Sequence, residues 1–138
     1  MKKLLIGGLV GASLVGCVSP ASDMMNNQYM VVQPSPQSFS GYWTGNIGPG
    51  LITLKVNKDG TGLYCESAGN DVNTRLYQVK ITQDMVYLSN GTRIKIDSID
   101  NNNANLKNIY LGMNIQYKLY KDDALTMSAP LCKKQLIQ

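Results

Sequence analysis

The chain has 138 residues, 13 of them Lys or Arg against 9 Asp or Glu, for a formal charge of +4. It contains no histidine, which excludes Ser-His-Asp and Cys-His catalytic sites and every histidine-based metal site. Hydrophobic content of 43% and charged content of 16% fit one globular domain, and a modest positive charge that includes Lys2 and Lys3 gives no argument for nucleic-acid binding.

Lys2 and Lys3 form a positive n-region, and Leu4 to Leu14 is an apolar run rich in Gly and Ala. The run is too short for a membrane span, which takes about 20 apolar residues, but it suits a cleaved signal. It closes on Leu14-Val15-Gly16-Cys17. This stretch resembles the lipobox of bacterial lipoproteins. The resemblance implies a signal peptide over 1–16, cleavage before Cys17, a diacylglyceryl thioether on the Cys17 sulfur and an acyl chain on its nitrogen. Val18-Ser19 follow, without the aspartate that retains enteric-type lipoproteins at the inner membrane. The outer membrane is therefore the expected address.

Residues 17–38 are predicted to be a lipidated N-terminus and flexible tether. Val18 to Ser38 carries Ser, Asn, Gln and three prolines (Pro20, Pro34, Pro36), and shows neither a helical nor a strand period. Tyr29-Met30-Val31-Val32 is a short apolar patch that could dock on the domain.

Residues 39–138 are predicted to be a β-barrel domain. Gly41 to Gly45 is a short aromatic strand, and Gly48-Pro49-Gly50 turns the chain. In Leu51 to Asn57, apolar Ile52, Leu54 and Val56 alternate with polar residues, which marks a half-buried strand. Asn57-Lys58-Asp59-Gly60 is a tight turn with Gly where φ is positive. Gly62 to Ser67 returns. Ala68 to Asn73 is a loop, Arg75 to Thr82 a strand, and Gln83-Asp84 turns into Met85 to Leu88. Asn90-Gly91 is the strongest hairpin signal and leads into Arg93 to Ile99. After the Asn-rich loop 100–103 come strands over Leu106 to Leu111, Met113 to Leu119 and Ala124 to Ser128, with Pro130 ending the last. No helical segment is expected after the signal.

This spacing predicts an all-β chain: a small antiparallel meander of about eight strands, forming a closed or nearly closed barrel. A lipocalin-like barrel and a sandwich are the alternatives. A domain this small is expected to fill its interior with side chains.

With Cys17 lipidated, Cys65 and Cys132 remain as a pair in a compartment that permits disulfides. They are read as one bridge, worth roughly 4 kcal/mol in the chain-entropy model, that pins the C-terminal tail and fastens the barrel seam. Two separate buried thiols are the alternative. No CxxC spacing is present, so no metal site or cofactor is expected.

Gly41-x-Trp43 resembles the motif that opens the first strand of lipocalin-like barrels. In that family an arginine from a late strand packs across the tryptophan; here the arginines are Arg75 and Arg93, both mid-chain. Lys55 to Glu66 nearly matches an EF-hand loop, but Lys55 occupies the position where a carboxylate must bind. Asp122-Asp123 read as turn carboxylates, and no P-loop or dinucleotide fingerprint is present.

The expected function is a non-catalytic envelope lipoprotein, held to the membrane by its lipid, that binds an envelope protein or a cell-wall polymer. Two alternatives stand beside it. Small disulfide-linked lipoproteins that inhibit lysozyme are similar in size, anchor and cysteine placement, although Ser67-Ala68-Gly69 is not their inhibitory motif. A carrier of a small apolar ligand is the second.

Overall fold

The computed structural model describes residues 27–68, 73–110 and 113–138. The signal peptide, Cys17, the first part of the expected tether, the loop 69–72 and Leu111-Gly112 lie outside the described residues.

Eight antiparallel strands follow one another around a closed barrel: β1 (Gly41–Ile47), β2 (Gly50–Val56), β3 (Thr61–Ser67), β4 (Thr74–Ile81), β5 (Met85–Leu88), β6 (Arg93–Ile99), β7 (Asn103–Tyr110) and β8 (Met113–Lys121). The closed meander is thus the realised form, and the sandwich alternative is not. Closure runs through β1 and β8, where Trp43 pairs with Lys121, Thr44 with Tyr120 and Gly45 with Leu119. It satisfies the backbone groups that an open sheet would leave at its edges.

Alternation on the strands decides what lies inside. Trp43, Leu54, Tyr64 and Tyr77 are successive cross-strand partners on the inner face. They join Ile52, Val56, Val79, Ile81, Val86, Leu88, Ile94, Ala104, Leu106, Tyr117 and Leu119 in one buried core. Each fully buried aliphatic side chain contributes about 1.5–3 kcal/mol, so the filled interior is the main source of stability. A register shift between Ile96 and Ser98 bulges β6 toward its C-terminal end.

The last segment departs from expectation in two ways. Ala124 to Ser128 is not a strand. Both carboxylate oxygens of buried Asp122 are engaged there, Oδ1 by the Thr126 amide (2.8 Å) and hydroxyl (3.0 Å), Oδ2 by the Met127 amide (3.1 Å). Leu125 takes a positive φ of 55° inside this loop. The chain then forms a helix, α1 (Pro130–Leu136), which corrects the expectation that no helix follows the signal. Pro130 fits the first turn of a helix, where its missing N–H is not needed. Cys132 and Leu136, four residues apart, put one buried face on the barrel's outer wall. With Leu125 and Ala129 they pack on Tyr42, Leu51, Leu63 and Cys65 in a second apolar cluster outside the barrel.

Cys65 and Cys132 form a disulfide, with Cα atoms 5.7 Å apart. It ties α1 to the outer face of β3. The tail is pinned as expected, but the seam between β1 and β8 is not where the bridge lies.

The expected tether is also shorter than its predicted bounds, because residues 27–38 lie against the barrel. Asn27 Nδ2 donates to the Ser89 carbonyl (2.9 Å). After a single 3-10 turn (Gln28–Met30), Lys80 Nζ donates to the Tyr29 carbonyl (2.8 Å) and sits 4.6 Å from the Tyr29 ring centroid. The Ser35 amide donates to the Ile81 carbonyl and the Gln37 amide to the Lys58 carbonyl, both at 2.9 Å. The docking patch at Tyr29 is therefore the start of a strap.

Candidate functional site

An up-and-down barrel has two ends of different make. The β1–β2, β3–β4, β5–β6 and β7–β8 connections share one end, here called the mouth. The turns at 57–60, 82–84 and 100–102 share the other.

The second end is sealed. Trp43 is 1% exposed and donates its indole N–H to the Phe39 carbonyl (2.9 Å). The Phe39 ring meets it edge-on, with centroids 6.2 Å apart. From β8, Lys121 Nζ lies 4.7 Å from the Trp43 ring centroid, donates to the Ser40 carbonyl and pairs with Asp123 at 3.5 Å. A lysine therefore stands where the lipocalin pattern has an arginine. No arginine was available late in the sequence, and the lysine signal was legible only once β8 was in register with β1.

The mouth is the candidate site. Its inner wall carries Tyr64, Tyr77 and Tyr117, and Glu66 and Arg75 face each other across β3 and β4. The Tyr64 and Tyr77 rings lie 6.3 Å apart. Burial pushes the Tyr64 hydroxyl well above the usual tyrosine range, and the nearby Glu66, Tyr117 and Tyr77 add to the shift. Burial also raises Tyr117; the Asn108 side chain at its hydroxyl opposes this, and Glu66 adds to it. The arrangement is a polar rim of Glu66 and Arg75 on a filled barrel, with Tyr64 and Tyr117 buried beneath it and Tyr77 half-buried. Tyr64 and Tyr117 therefore keep their protons at neutral pH.

Two clefts lie outside the barrel. One, of about 670 Å³, runs between the strap (Ser35 to Phe39) and the bulged end of β6 (Ile96 to Ile99). The other, of about 380 Å³, lies over the seam beside Tyr120 and Met127.

The EF-hand-like stretch is spread over a hairpin. Lys55 donates to the Leu136 carbonyl on the outer wall (3.2 Å), and Asp59 holds the Thr61 amide in the sealed-end turn (2.9 Å). Glu66 lies at the opposite end, in the mouth. Asp123 Oδ1 accepts from the Tyr42 amide (3.0 Å), so the Asp122-Asp123 pair serves the turn that follows β8. Among the described residues no cluster of His, Cys, Asp or Glu is placed to hold a metal ion, and no helix is long and apolar enough to cross a membrane.

A family profile described as "Bacterial lipocalin LPS transport optimiser YedD" matches residues 25–136, which takes in the strap, the whole barrel and α1. None of the curated proteins compared matches significantly. Among solved structures, a lipocalin lipoprotein affecting virulence in Streptococcus pneumoniae superimposes with a TM-score of 0.53 at 19% identity, covering 64% of this chain and 97% of that one. A second lipoprotein from Streptococcus pneumoniae gives 0.52 at 20% identity, over 64% of this chain and all (100%) of the other. At such identities the likeness is one of fold.

Proposed function

The chain belongs to the family described as bacterial lipocalin LPS transport optimiser YedD, and from that premise we propose that it is a non-catalytic binding module of the bacterial envelope that assists lipopolysaccharide transport. The observation that carries the reading is the extent of the family match, which spans 25–136 and so includes every element of the domain. The geometry supports a helper that acts by contact. The core is filled from Trp43 to Leu106 and Tyr117, and the functional groups stand at the rim and on the outer walls. A filled barrel with Glu66 and Arg75 at its rim fits a phosphate-bearing headgroup, or a polar protein edge, better than it fits a swallowed acyl chain.

The lipid on Cys17 completes the proposal, with the outer membrane as the site of action. Anchoring by several acyl chains on one cysteine is firm where a single chain is marginal. The apolar-ligand carrier remains the second reading, favoured by the match to a lipocalin family.

The test is a strain lacking the gene, scored for lipopolysaccharide at the cell surface and for permeability to large hydrophobic antibiotics. Reduced surface lipopolysaccharide, restored by the wild-type gene and not by Cys17→Ser, is the expected result. Unchanged surface lipopolysaccharide and permeability would sink the transport role. An apolar molecule copurifying with the mature domain would move the reading to the carrier.

A further inference from the structure

The strap fixes where the anchored segment enters the domain. Asn27 is held at Ser89, in the β5–β6 turn of the mouth end, and the chain then descends to Ile81 and Lys58 at the sealed end. The stretch from Cys17 to Asn27 spans at most about 35 Å, so a lipid on Cys17 keeps the Asn27 attachment within that distance of the bilayer.

Charge is divided along the same axis. Exposed Asp59, Asp84, Asp100 and Asp123 lie in turns at the sealed end, and Asp97 lies at the β6 bulge next to it. They outnumber the cations there, exposed Lys58, Lys80 held on Tyr29 and Lys121 held on Trp43 and Asp123. Arg75 and Arg93 are exposed near the mouth ends of β4 and β6, while exposed Lys95 and half-buried Lys107 lie mid-wall on β6 and β7, Lys95 opposite Met85. Lys95 and Lys107 are direct cross-strand partners, a like-charge pairing that disfavours the sheet unless an anion relieves it. Glu66 faces inward beside Arg75, and Lys118 leans the other way, over Tyr120 and toward Asp100. Two apolar side chains stand out on the same half, Met113 at 59% exposure and Leu76 at 42%.

We propose that the mouth half of the barrel rests against the anionic bilayer that holds its own anchor, with Arg75, Arg93, Lys95 and Lys107 against lipid phosphates and Met113 at the headgroup boundary. This deepens the functional reading and rests on lipidation of Cys17. Each cation near an anionic leaflet strengthens attachment roughly five-fold, and short range makes the effect depend on salt. The acidic sealed end then points away from the membrane.

The experiment uses the lipidated chain in vesicles of phosphatidylethanolamine and phosphatidylglycerol (3:1) with acyl chains brominated near the headgroup. Asn114→Trp reports the mouth half and Lys58→Trp the sealed end; buried Trp43 is the internal reference. At least three-fold stronger quenching of Asn114→Trp than of Lys58→Trp is expected. That difference should disappear at high salt, in vesicles without anionic lipid, and in the Lys95→Glu, Lys107→Glu double variant. The reverse pattern, or equal quenching at both positions, overturns the proposal. So does mouth quenching that appears only when lipopolysaccharide is the anionic lipid, since the bilayer would then not be the occupant. Failure of the protein to float with vesicles at all is a separate result: it refutes lipidation of Cys17 and removes the premise.

Discussion

Lys121 closes the barrel on Trp43. Its ammonium lies 4.7 Å from the indole ring centroid, at the position where the two strands of the seam pair. The same ammonium holds Ser40 and Asp123, so one side chain joins β8 to the segment that enters β1. Lys121→Met keeps the stem but removes the charge. It should cost about 1–2 kcal/mol, from a cation–π contact and a charged hydrogen bond. Lys121→Arg, with a planar cation able to stack on indole, should restore most of this. Urea unfolding followed by Trp43 emission checks both. Equal loss in the two variants would mean that the ring contact contributes nothing.

The bridge between Cys65 and Cys132 pins a helix, not the seam. Cys65→Ser and Cys132→Ser should each lower stability by roughly 2–5 kcal/mol, and the double variant should lose no more than either alone. Trp43 is inside the barrel and Cys65 faces outward, so the near-ultraviolet signal of Trp43 should survive while α1 becomes sensitive to protease. Collapse of the Trp43 signal in the single variants would show that the barrel itself depends on the bridge.

Two buried tyrosines give a dependence on alkaline pH. Tyr64 is raised above its ordinary value chiefly by burial, and Tyr117 is raised for the same reason. A raised tyrosine holds its proton in the folded state after the unfolded chain has lost it. Its contribution is fully present below the unfolded value near pH 10 and is lost as pH rises beyond it. Stability should therefore fall above pH 10, with a slope of up to about 1.4 kcal/mol per pH unit for one such group. Tyr64→Phe should flatten this slope, as read from urea midpoints between pH 8 and pH 11. An unchanged slope in that variant would show that burial of Tyr64 does not govern the alkaline loss.

How far the sequence reveals this molecule depends on whether a feature is local. Asn90-Gly91 locates the β5–β6 hairpin, and the expected strands Met85 to Leu88 and Arg93 to Ile99 coincide with β5 and β6. The alternation of Ile52, Leu54 and Val56 likewise marks their inward face. Helix α1 was not legible, because seven residues are too few to display a helical period. The one local hint was Pro130 followed by Cys132 and Leu136 on one face. Ala124 to Ser128 has strand-like composition, but buried Asp122 captures its amides and bends it into a loop. The opposition of Glu66 to Arg75 and the stacking of Lys121 on Trp43 exist only through register. Register depends on every strand between, so neither could be read from spacing.

The strap can be tested by two glycines in turns at opposite ends. Gly48 has φ +52° and open space around it; Gly60 has φ +87° and lies directly under the strap. A Cβ on Gly60 would collide with the Ser35 carbonyl oxygen and stand 2.9 Å from that of Ile81. These groups belong to the strap's own attachment, since the Ser35 amide donates to the Ile81 carbonyl. Gln37 reinforces it by donating its side-chain amide to the carbonyls of Ser35 (2.9 Å), Thr82 (3.2 Å) and Ile81 (3.3 Å). Gly48→Ala should cost only the left-handed penalty, roughly 1–2 kcal/mol. Gly60→Ala should cost clearly more, because backbone must move as well. Removing residues 27–38 deletes the Ser35 carbonyl, and in that shortened chain the excess cost of Gly60→Ala should shrink toward that of Gly48→Ala. Differential unfolding of the four proteins measures this coupling. If the excess persists without the strap, it comes from the turn alone, and residues 27–38 are a loose tether after all.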